Sequence, residues 1–244
     1  MIGQPKDDLR ICSRVTDGTL LVDLGRKMRV LSSAPAGGGL QVARYILNHQ
    51  VEADHTSSRS SGAMNRRRKS NEGSSSVALR RVASALGVNE VYVGLMTAVP
   101  MTQVVSGCDE SHGLQVECFA TVGVTNAVRA GGSGGSGFSD GGAQCAGTIN
   151  VILITNAALA TSAMVGAVQV VTESKTGVLR DREVHCWNGQ PGATGTGTDA
   201  VVIVSALRAE GKRVPYSGTH TAIGDMIGRV VAACVREGLD RPGS

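Results

Sequence analysis

Between Asp140 and Glu173 the chain carries no charged side chain. A stretch that long is either a membrane span or backbone buried on every side. Asn150, Thr155, Asn156, Thr161, Ser162 and Gln169 interrupt its apolar residues, and a continuous span tolerates few such groups. A buried strand, Thr148–Thr155, followed by a buried helix, Ala157–Leu179, is therefore expected. A second apolar run, Ala200-Val201-Val202-Ile203-Val204, reads as another buried strand, Ala200–Leu207. Together they point to buried strands and a buried helix in one core.

The core material is mainly aliphatic. Hydrophobic residues make up 41% of the 244 residues, but aromatics only 2%. That leaves almost nothing on which to stack bases, the usual device for single-stranded nucleic acid. The net charge of +4 is concentrated in one place. Arg59, Arg66, Arg67, Arg68, Lys69, Arg80 and Arg81 face one acid, Glu72, within residues 55–81, so the rest of the chain is slightly acidic. Residues 54–76 read as a basic, serine-rich insertion, and nucleic acid is an unfavoured partner.

The periodicities give a mixed order of elements. Leu20–Leu24 and Met28–Leu31 are expected to form a hairpin around Gly25-Arg26-Lys27. Leu40–Val51 places Val42, Tyr45, Ile46 and Val51 near helical spacing. Val77–Leu86 reads as a helix ending at Gly87, and Val91–Ala98 and Leu114–Thr125 read as strands. The last helix is the most regular: Ala222, Ile223, Met226, Ile227, Val230, Val231, Cys234 and Val235 repeat at helical period. The expected fold is α/β, of α+β-like order: a mixed β-sheet packed against helices in a single domain spanning 1–244, with a Gly-rich loop at about 131–142.

Several motifs lead away from function. Gly132-Ser133-Gly134-Gly135-Ser136-Gly137 fits G-x-G-x-x-G, but Phe138-Ser139-Asp140-Gly141-Gly142 after it is no helix, which the dinucleotide reading needs. No Walker-type phosphate loop and no H-E-x-x-H occurs. The cysteines, Cys12, Cys108, Cys118, Cys145, Cys186 and Cys234, lack C-x-x-C spacing and read as reduced, mostly buried thiols. No metal site is expected. The N-terminus, Met1-Ile2-Gly3-Gln4-Pro5-Lys6-Asp7-Asp8, has no apolar core, so a cytoplasmic location is expected.

Two polar clusters invite chemistry. Ala193-Thr194-Gly195-Thr196-Gly197-Thr198-Asp199 combines hydroxyls, a carboxylate and glycines that let a ligand approach the backbone. Tyr216-Ser217-Gly218-Thr219-His220-Thr221 opens the last helix, where the helix dipole favours a neutral imidazole that can act as a base. Asn126, Asn150 and Asn156 stand at expected strand ends, where α/β sheets place ligands.

The blocks Leu31-Ser32-Ser33-Ala34-Pro35, Val93-Gly94-Leu95-Met96-Thr97-Ala98 and Thr121-Val122-Gly123-Val124-Thr125-Asn126 come first. Gly147-Thr148-Ile149-Asn150, Thr172-Glu173-Ser174-Lys175 and the two polar clusters follow them. In type and order these resemble the adenosylcobinamide amidohydrolase family, from about residue 30 to about residue 232. The departures are the insertion at 54–76 and the glycine-rich 131–142. The resemblance implies hydrolysis of the aminopropanol amide of adenosylcobinamide, giving adenosylcobyric acid and 1-amino-2-propanol in cobamide (vitamin B12) salvage. It implies a small corrinoid substrate that carries its own cobalt, and no resident cofactor. A non-catalytic corrinoid-binding protein is the alternative. Amide hydrolysis needs a nucleophile, oxyanion donors and a proton for the leaving amine. The expected catalytic set is His220 as base, oriented by Asp199, with Thr198 or Thr196 or a water as nucleophile. Glu173 is the competing base and Lys175 an electrostatic stabiliser. Backbone N–H groups of Gly195 and Gly197 are the expected oxyanion donors. Ser33, Asn126, Thr148, Asn150, Thr194, Gly195, Thr196, Gly197 and Thr219 are the expected substrate-binding residues.

Overall fold

The computed structural model describes residues 9–51, 71–132 and 147–242. The basic residues Arg59 and Arg66–Lys69, the Gly-rich stretch from 133 on and Cys145 lie outside them. In chain order the elements are β1 (Cys12–Thr16), β2 (Thr19–Ser32), β3 (Gly39–Gln50), α1 (Asn71–Ala85), β4 (Tyr92–Thr97), β5 (Val105–Ser111), β6 (Leu114–Val122) and β7 (Ala127–Val128). They continue with β8 (Ile149–Thr155), β9 (Ala158–Leu159), α2 (Thr161–Asp181), β10 (Gly195–Thr196), β11 (Ala200–Ser205), β12 (Arg213–Val214) and α3 (Ala222–Leu239). The expected mixed sheet is present: its path runs β4-β3-β2-β11-β8-β6-β5, with β1 added beside β2. β3 with β4 and β8 with β11 are parallel; the other neighbours on the path are antiparallel.

The sheet folds back on itself. β3 and β8 are separated along the path by β2 and β11. Nevertheless Asn150 Nδ2 on β8 donates to Asn48 Oδ1 on β3 at 3.0 Å and to the Met96 carbonyl on β4 at 2.8 Å. Asn48 Nδ2 in turn donates to Thr121 Oγ1 on β6 at 3.1 Å. The two halves of the sheet therefore face each other. Leu20, Val22, Ile46 and Leu95 from one half meet Phe119, Ile152, Ile154, Val202 and Val204 from the other. The outward face of one half carries α2 and α3, packed on Val116, Cys118, Val151, Leu153 and Ile203. On the outward face of the other, Ala83 of α1 and Val88 after it pack on Leu21 and Leu47. This gives four layers, helix–sheet–sheet–helix. β8 and β11 are covered on both faces, which is why they read as unbroken apolar runs.

The bend passes through β2. Its register against β3 slips between Asp23 and Met28, so β2 holds three more residues there than its partner. Such an insertion increases local twist. Gly25 takes φ +69° inside it, a conformation glycine adopts without steric cost. Arg44 grips Asp23 through Nε at 3.0 Å and Nη2 at 3.1 Å, and this holds the carboxyl below its usual range.

Four expectations about elements are corrected. The hairpin around Gly25–Lys27 is one bulged strand, because β3 pairs with both of its halves. Leu40–Val51 is strand, not helix: pairing with β2 and β4 on its two sides outweighs a loose helical spacing. α1 begins at Asn71, inside the stretch assigned to the insertion. α2 begins at Thr161, because Ala158–Leu159 pairs with Arg213–Val214. The stop at Gly87 is as expected: Gly87 has φ +72°, and Gly87 N and Val88 N donate to the Ser84 and Ala83 carbonyls, a Schellman closure. Among the described cysteines Cys118, Cys186 and Cys234 are buried, Cys12 and Cys108 exposed, and all are free. Among the described residues no helix is long and apolar enough to cross a membrane.

α3 lies so close to β6 that a Cβ on Gly238 would meet the Val122 side chain, its Cβ at 2.7 Å. Replacing a helical glycine by alanine ordinarily stabilises by about 1 kcal/mol. Here overpacking reverses the sign, and Gly238→Ala is expected to destabilise by about 1–3 kcal/mol. Urea unfolding checks this: the midpoint should fall with the slope unchanged.

Candidate active site

The site is built where β8 and β11 begin. These strands run parallel in register, Ala200 beside Asn150 and Ser205 beside Thr155. Their N-terminal ends bring Gly147-Thr148 and Thr198-Asp199 together. The end of β2 joins them from the other side of β11: Ser33 and Val201 exchange bonds, Ser33 N to the Val201 carbonyl and Val201 N to Ser33 Oγ, both at 3.1 Å.

Asp199 is the centre. Its side chain falls on the same face of β11 as Val201 and Ile203, toward α2. Lys175 lies on the apolar face of α2 with Met164, Ala167, Val171 and Val178, and its Nζ pairs with Asp199 Oδ2. The two side chains are only 9% and 15% exposed. Thr196 N (3.0 Å), Thr196 Oγ1 (2.5 Å) and Ile149 N (2.9 Å) also donate to this carboxylate. One carboxylate thus receives four donors, which fills its lone-pair capacity. It orients its neighbours and has no site left for abstracting a proton. The ammonium of Lys175 has three donors. Among the described residues Asp199 is its acceptor, and its other N–H groups remain for a ligand.

Glycine at 195 is a requirement of this pair. A Cβ there would collide with Asp199 Oδ2 and lie 2.8 Å from Lys175 Nζ. Gly195-Thr196 is held as β10 against Ala127-Val128. Thr194 tethers the same loop: its carbonyl accepts from Thr176 Oγ1 on α2, and its Oγ1 accepts from Ala130 N, each at 2.9 Å.

Beside the ion pair lies a pair of hydroxyls. Thr148 Oγ1 donates to the Thr198 carbonyl at 2.8 Å. Thr198 Oγ1 stands 3.0 Å from Thr148 Oγ1 and 3.2 Å from the Gly147 carbonyl. Thr148 is buried, while Gly197 and Thr198 are exposed, so Thr198 presents this pair to solvent.

Asn126 and Asn150 border the same place. Asn150 follows Thr148 by two residues along the chain and so shares its face of the sheet. Asn126 Oδ1 would lie 2.7 Å from a Cβ on Gly147, so it sits against the backbone just before Thr148. Ser33, Asn126, Thr148, Asn150, Lys175, Thr194, Gly195, Thr196, Gly197, Thr198 and Asp199 therefore converge, although they come from separate stretches of chain.

Three expected residues do not join them. β12 pairs with β9 beyond the C-terminal ends of β8 and β11, and Ser217 Oγ donates to the Ala163 carbonyl in the first turn of α2. His220 and Thr219 follow Ser217 there, both exposed. At about 3.3 Å per strand residue the length of β11 alone puts roughly 20 Å between that end and Asp199. Asp199 therefore does not orient His220. Glu173 is exposed and two positions from Lys175, a turn of about 200° that sends it to the opposite face of α2. Thr221 has a local task, capping α3 by accepting from Gly224 N at 3.1 Å. Asn156 is also at the far end, holding Gln115 N and the Gly113 carbonyl. Asn48 and, through it, Thr121 support Asn150, and neither is among the site residues expected from the sequence. Asn48 shares a strand face with Ile46, a signal that appears only once 40–51 is read as extended.

The adenosylcobinamide amidohydrolase family model matches residues 4–243. An uncharacterized protein of Methanocaldococcus jannaschii is 28% identical over 236 residues, 91% of this chain and 85% of that protein. A protein of Methanosarcina mazei named adenosylcobinamide amidohydrolase is 28% identical over 218 residues, 86% of this chain and 90% of that protein. Among solved structures, the L-aminopeptidase D-Ala-esterase/amidase of Ochrobactrum anthropi matches with TM-score 0.42 at 10% identity, covering 97% of this chain and 86% of that one. A protein of Pyrococcus horikoshii matches with TM-score 0.43 at 12% identity, covering 97% and 79%.

Removing one partner of a largely buried ion pair strands the other. Lys175→Met and Asp199→Asn are each expected to cost about 3 kcal/mol. The double variant should cost less than the two together, with a coupling of about 1–2 kcal/mol. Urea unfolding of the four proteins checks this, and strictly additive losses would contradict the pairing.

Proposed function

This chain belongs to the adenosylcobinamide amidohydrolase family, a family of hydrolases, and from that premise we propose that it hydrolyses the aminopropanol amide of adenosylcobinamide. The products are adenosylcobyric acid and 1-amino-2-propanol, and the reaction serves cobamide salvage. The observation that carries the reading is the buried Lys175–Asp199 pair set beside the Thr148–Thr198 hydroxyls at one end of the sheet.

Each member has a task in amide hydrolysis. Attack on the amide carbonyl places negative charge on its oxygen, and a donor fixed in advance lowers that barrier most. Lys175 is such a donor. Asp199 holds its Nζ in place, and burial of both keeps water from screening the charge. The exposed Thr198 hydroxyl, or a water bound to it, is the attacking group: its O–H bond breaks as the C–O bond forms, the proton passes to the amide nitrogen, the C–N bond breaks to release 1-amino-2-propanol, and where Thr198 attacks, a water then hydrolyses its ester to the carboxylate. Thr148 and the Gly147 carbonyl fix the direction of that hydroxyl. The exposed glycine at 197 leaves room for a bulky substrate to approach the loop. The amides at the rim of a corrin ring suit a cleft of Asn, Thr and Ser side chains. The cobalt belongs to the substrate, and the residues of the cluster are hydroxyls, amides and one ion pair, without a set of metal ligands.

Mass spectrometry of adenosylcobinamide incubated with the purified protein tests the reading. The expected result is adenosylcobyric acid and free 1-amino-2-propanol in equal amounts. Unchanged corrinoid in the presence of folded protein contradicts it, and retained binding in that case would mark a corrinoid-binding protein.

A further inference from the structure

Three buried side-chain amide oxygens have no hydrogen-bond partner among the described residues: Gln103 Oε1, Asn126 Oδ1 and Asn150 Oδ1. A buried acceptor left unpaired costs about 1–3 kcal/mol, so native structures keep few of them. Gln103 stands apart, with its Nε2 on the Pro242 carbonyl near the C-terminus. The two asparagines belong to the cluster around Thr148, and their settings differ.

Asn150 is 1% exposed and locked from within. Its Nδ2 faces two oxygens, Asn48 Oδ1 and the Met96 carbonyl. This fixes which end of the amide is the acceptor and holds the side chain between the two halves of the sheet. Asn126 is 7% exposed and sits in the turn closed by Ala127 N and the Val124 carbonyl. Thr125 beside it is exposed. Its oxygen lies against Gly147, whose carbonyl is bonded to the Thr198 hydroxyl. No side chain could stand at 147 without meeting Asn126 Oδ1 and Thr125 Oγ1, each 2.7 Å from the Cβ position. The acceptor is therefore buried, unpaired, and next to the proposed attacking group.

We propose that Asn126 Oδ1 receives an amide N–H of the substrate and makes the site select a carboxamide over the corresponding carboxylate. This rests on the amidohydrolase reading. An amide nitrogen that carries hydrogen satisfies the orphan oxygen. A carboxylate cannot: it brings only acceptors and a negative charge against a lone pair. Hydrolysis adds water across the C–N bond and gives a carboxylate and an amine, so the reaction itself removes the donor that Asn126 recognises. The product is then the weaker ligand and leaves. A site that hydrogen-bonds a substrate N–H discriminates strongly against ligands that lack it.

The test compares binding of adenosylcobinamide and adenosylcobyric acid by equilibrium dialysis, with Asn126 wild type, Asn126→Leu and Asn126→Asp, each in a Thr198→Val background that keeps the amide from being hydrolysed during the dialysis. Wild type is expected to prefer the amide. Asn126→Leu, similar in shape without an acceptor, should reduce that preference by about tenfold. Asn126→Asp retains an acceptor and adds a negative charge that repels the carboxylate, so it should increase the preference. Equal preference in all three proteins overturns the proposal while leaving the amidohydrolase reading intact. A wild type that binds neither corrinoid overturns both. Thermal unfolding of each variant separates loss of fold from loss of selectivity, and Asn126→Asp alone decides the matter if Asn126→Leu does not fold: a preference unchanged or reversed toward the carboxylate overturns the proposal, and one increased supports it.

Discussion

The Asp199 carboxylate joins three parts of the molecule that are distant in sequence. It binds Lys175 from α2, Thr196 from the loop that ends as β10, and Ile149 N from the start of β8. A carboxylate in this setting is stable only with its charge paired and its lone pairs filled. The positions of the loop, the helix and the strand follow from that need. Gly195 follows from it as well, since any side chain there would occupy the space of the ion pair. The hydroxyls of Thr148 and Thr198 meet because the residues next to each, Ile149 and Asp199, are bonded together.

A second constraint is the fold-back of the sheet. An extended sheet would separate β3 and β4 from β6 and β8. The bulge in β2 and the Asn150–Asn48–Thr121 bonds bring the halves face to face instead. The rigidity of the site derives from this. Asn150 is anchored from the opposite half-sheet, and it stands two residues from Thr148. The site is thus supported by α2 on one side and by the second half of the sheet on the other.

Much of this is legible in the sequence. The uncharged stretch before Glu173 and the run Ala200–Val204 form β8, α2 and β11 because a strand covered on both faces must be apolar throughout. α3 is legible because its apolar stripe and its Thr221 cap are local signals. The polar loop 193–199 is recognisable from its glycines and hydroxyls. The readings that fail depend on tertiary pairing. Leu40–Val51 carries a weak helical spacing, and only its two neighbouring strands determine that it is extended. Gly25 signals a turn, yet the bulge it makes leaves the strand continuous. The expected link between His220 and Asp199 fails for the same reason: both are chemically apt, and the parallel order of β8 and β11 places them at opposite ends. Lys175 is visible as a lone cation closing an apolar helix face, but its partner follows only from the packing of α2 on β11.

The central claim is that the chemistry resides at the Lys175–Asp199 end of the sheet. Turnover of adenosylcobinamide by Lys175→Met and His220→Ala, measured side by side against wild type, tests it most directly. Lys175→Met is expected to lose about two to three orders of magnitude in kcat, the scale of one lost oxyanion donor, while His220→Ala stays within a few-fold. The reverse pattern, with activity kept in Lys175→Met and lost in His220→Ala, would contradict it.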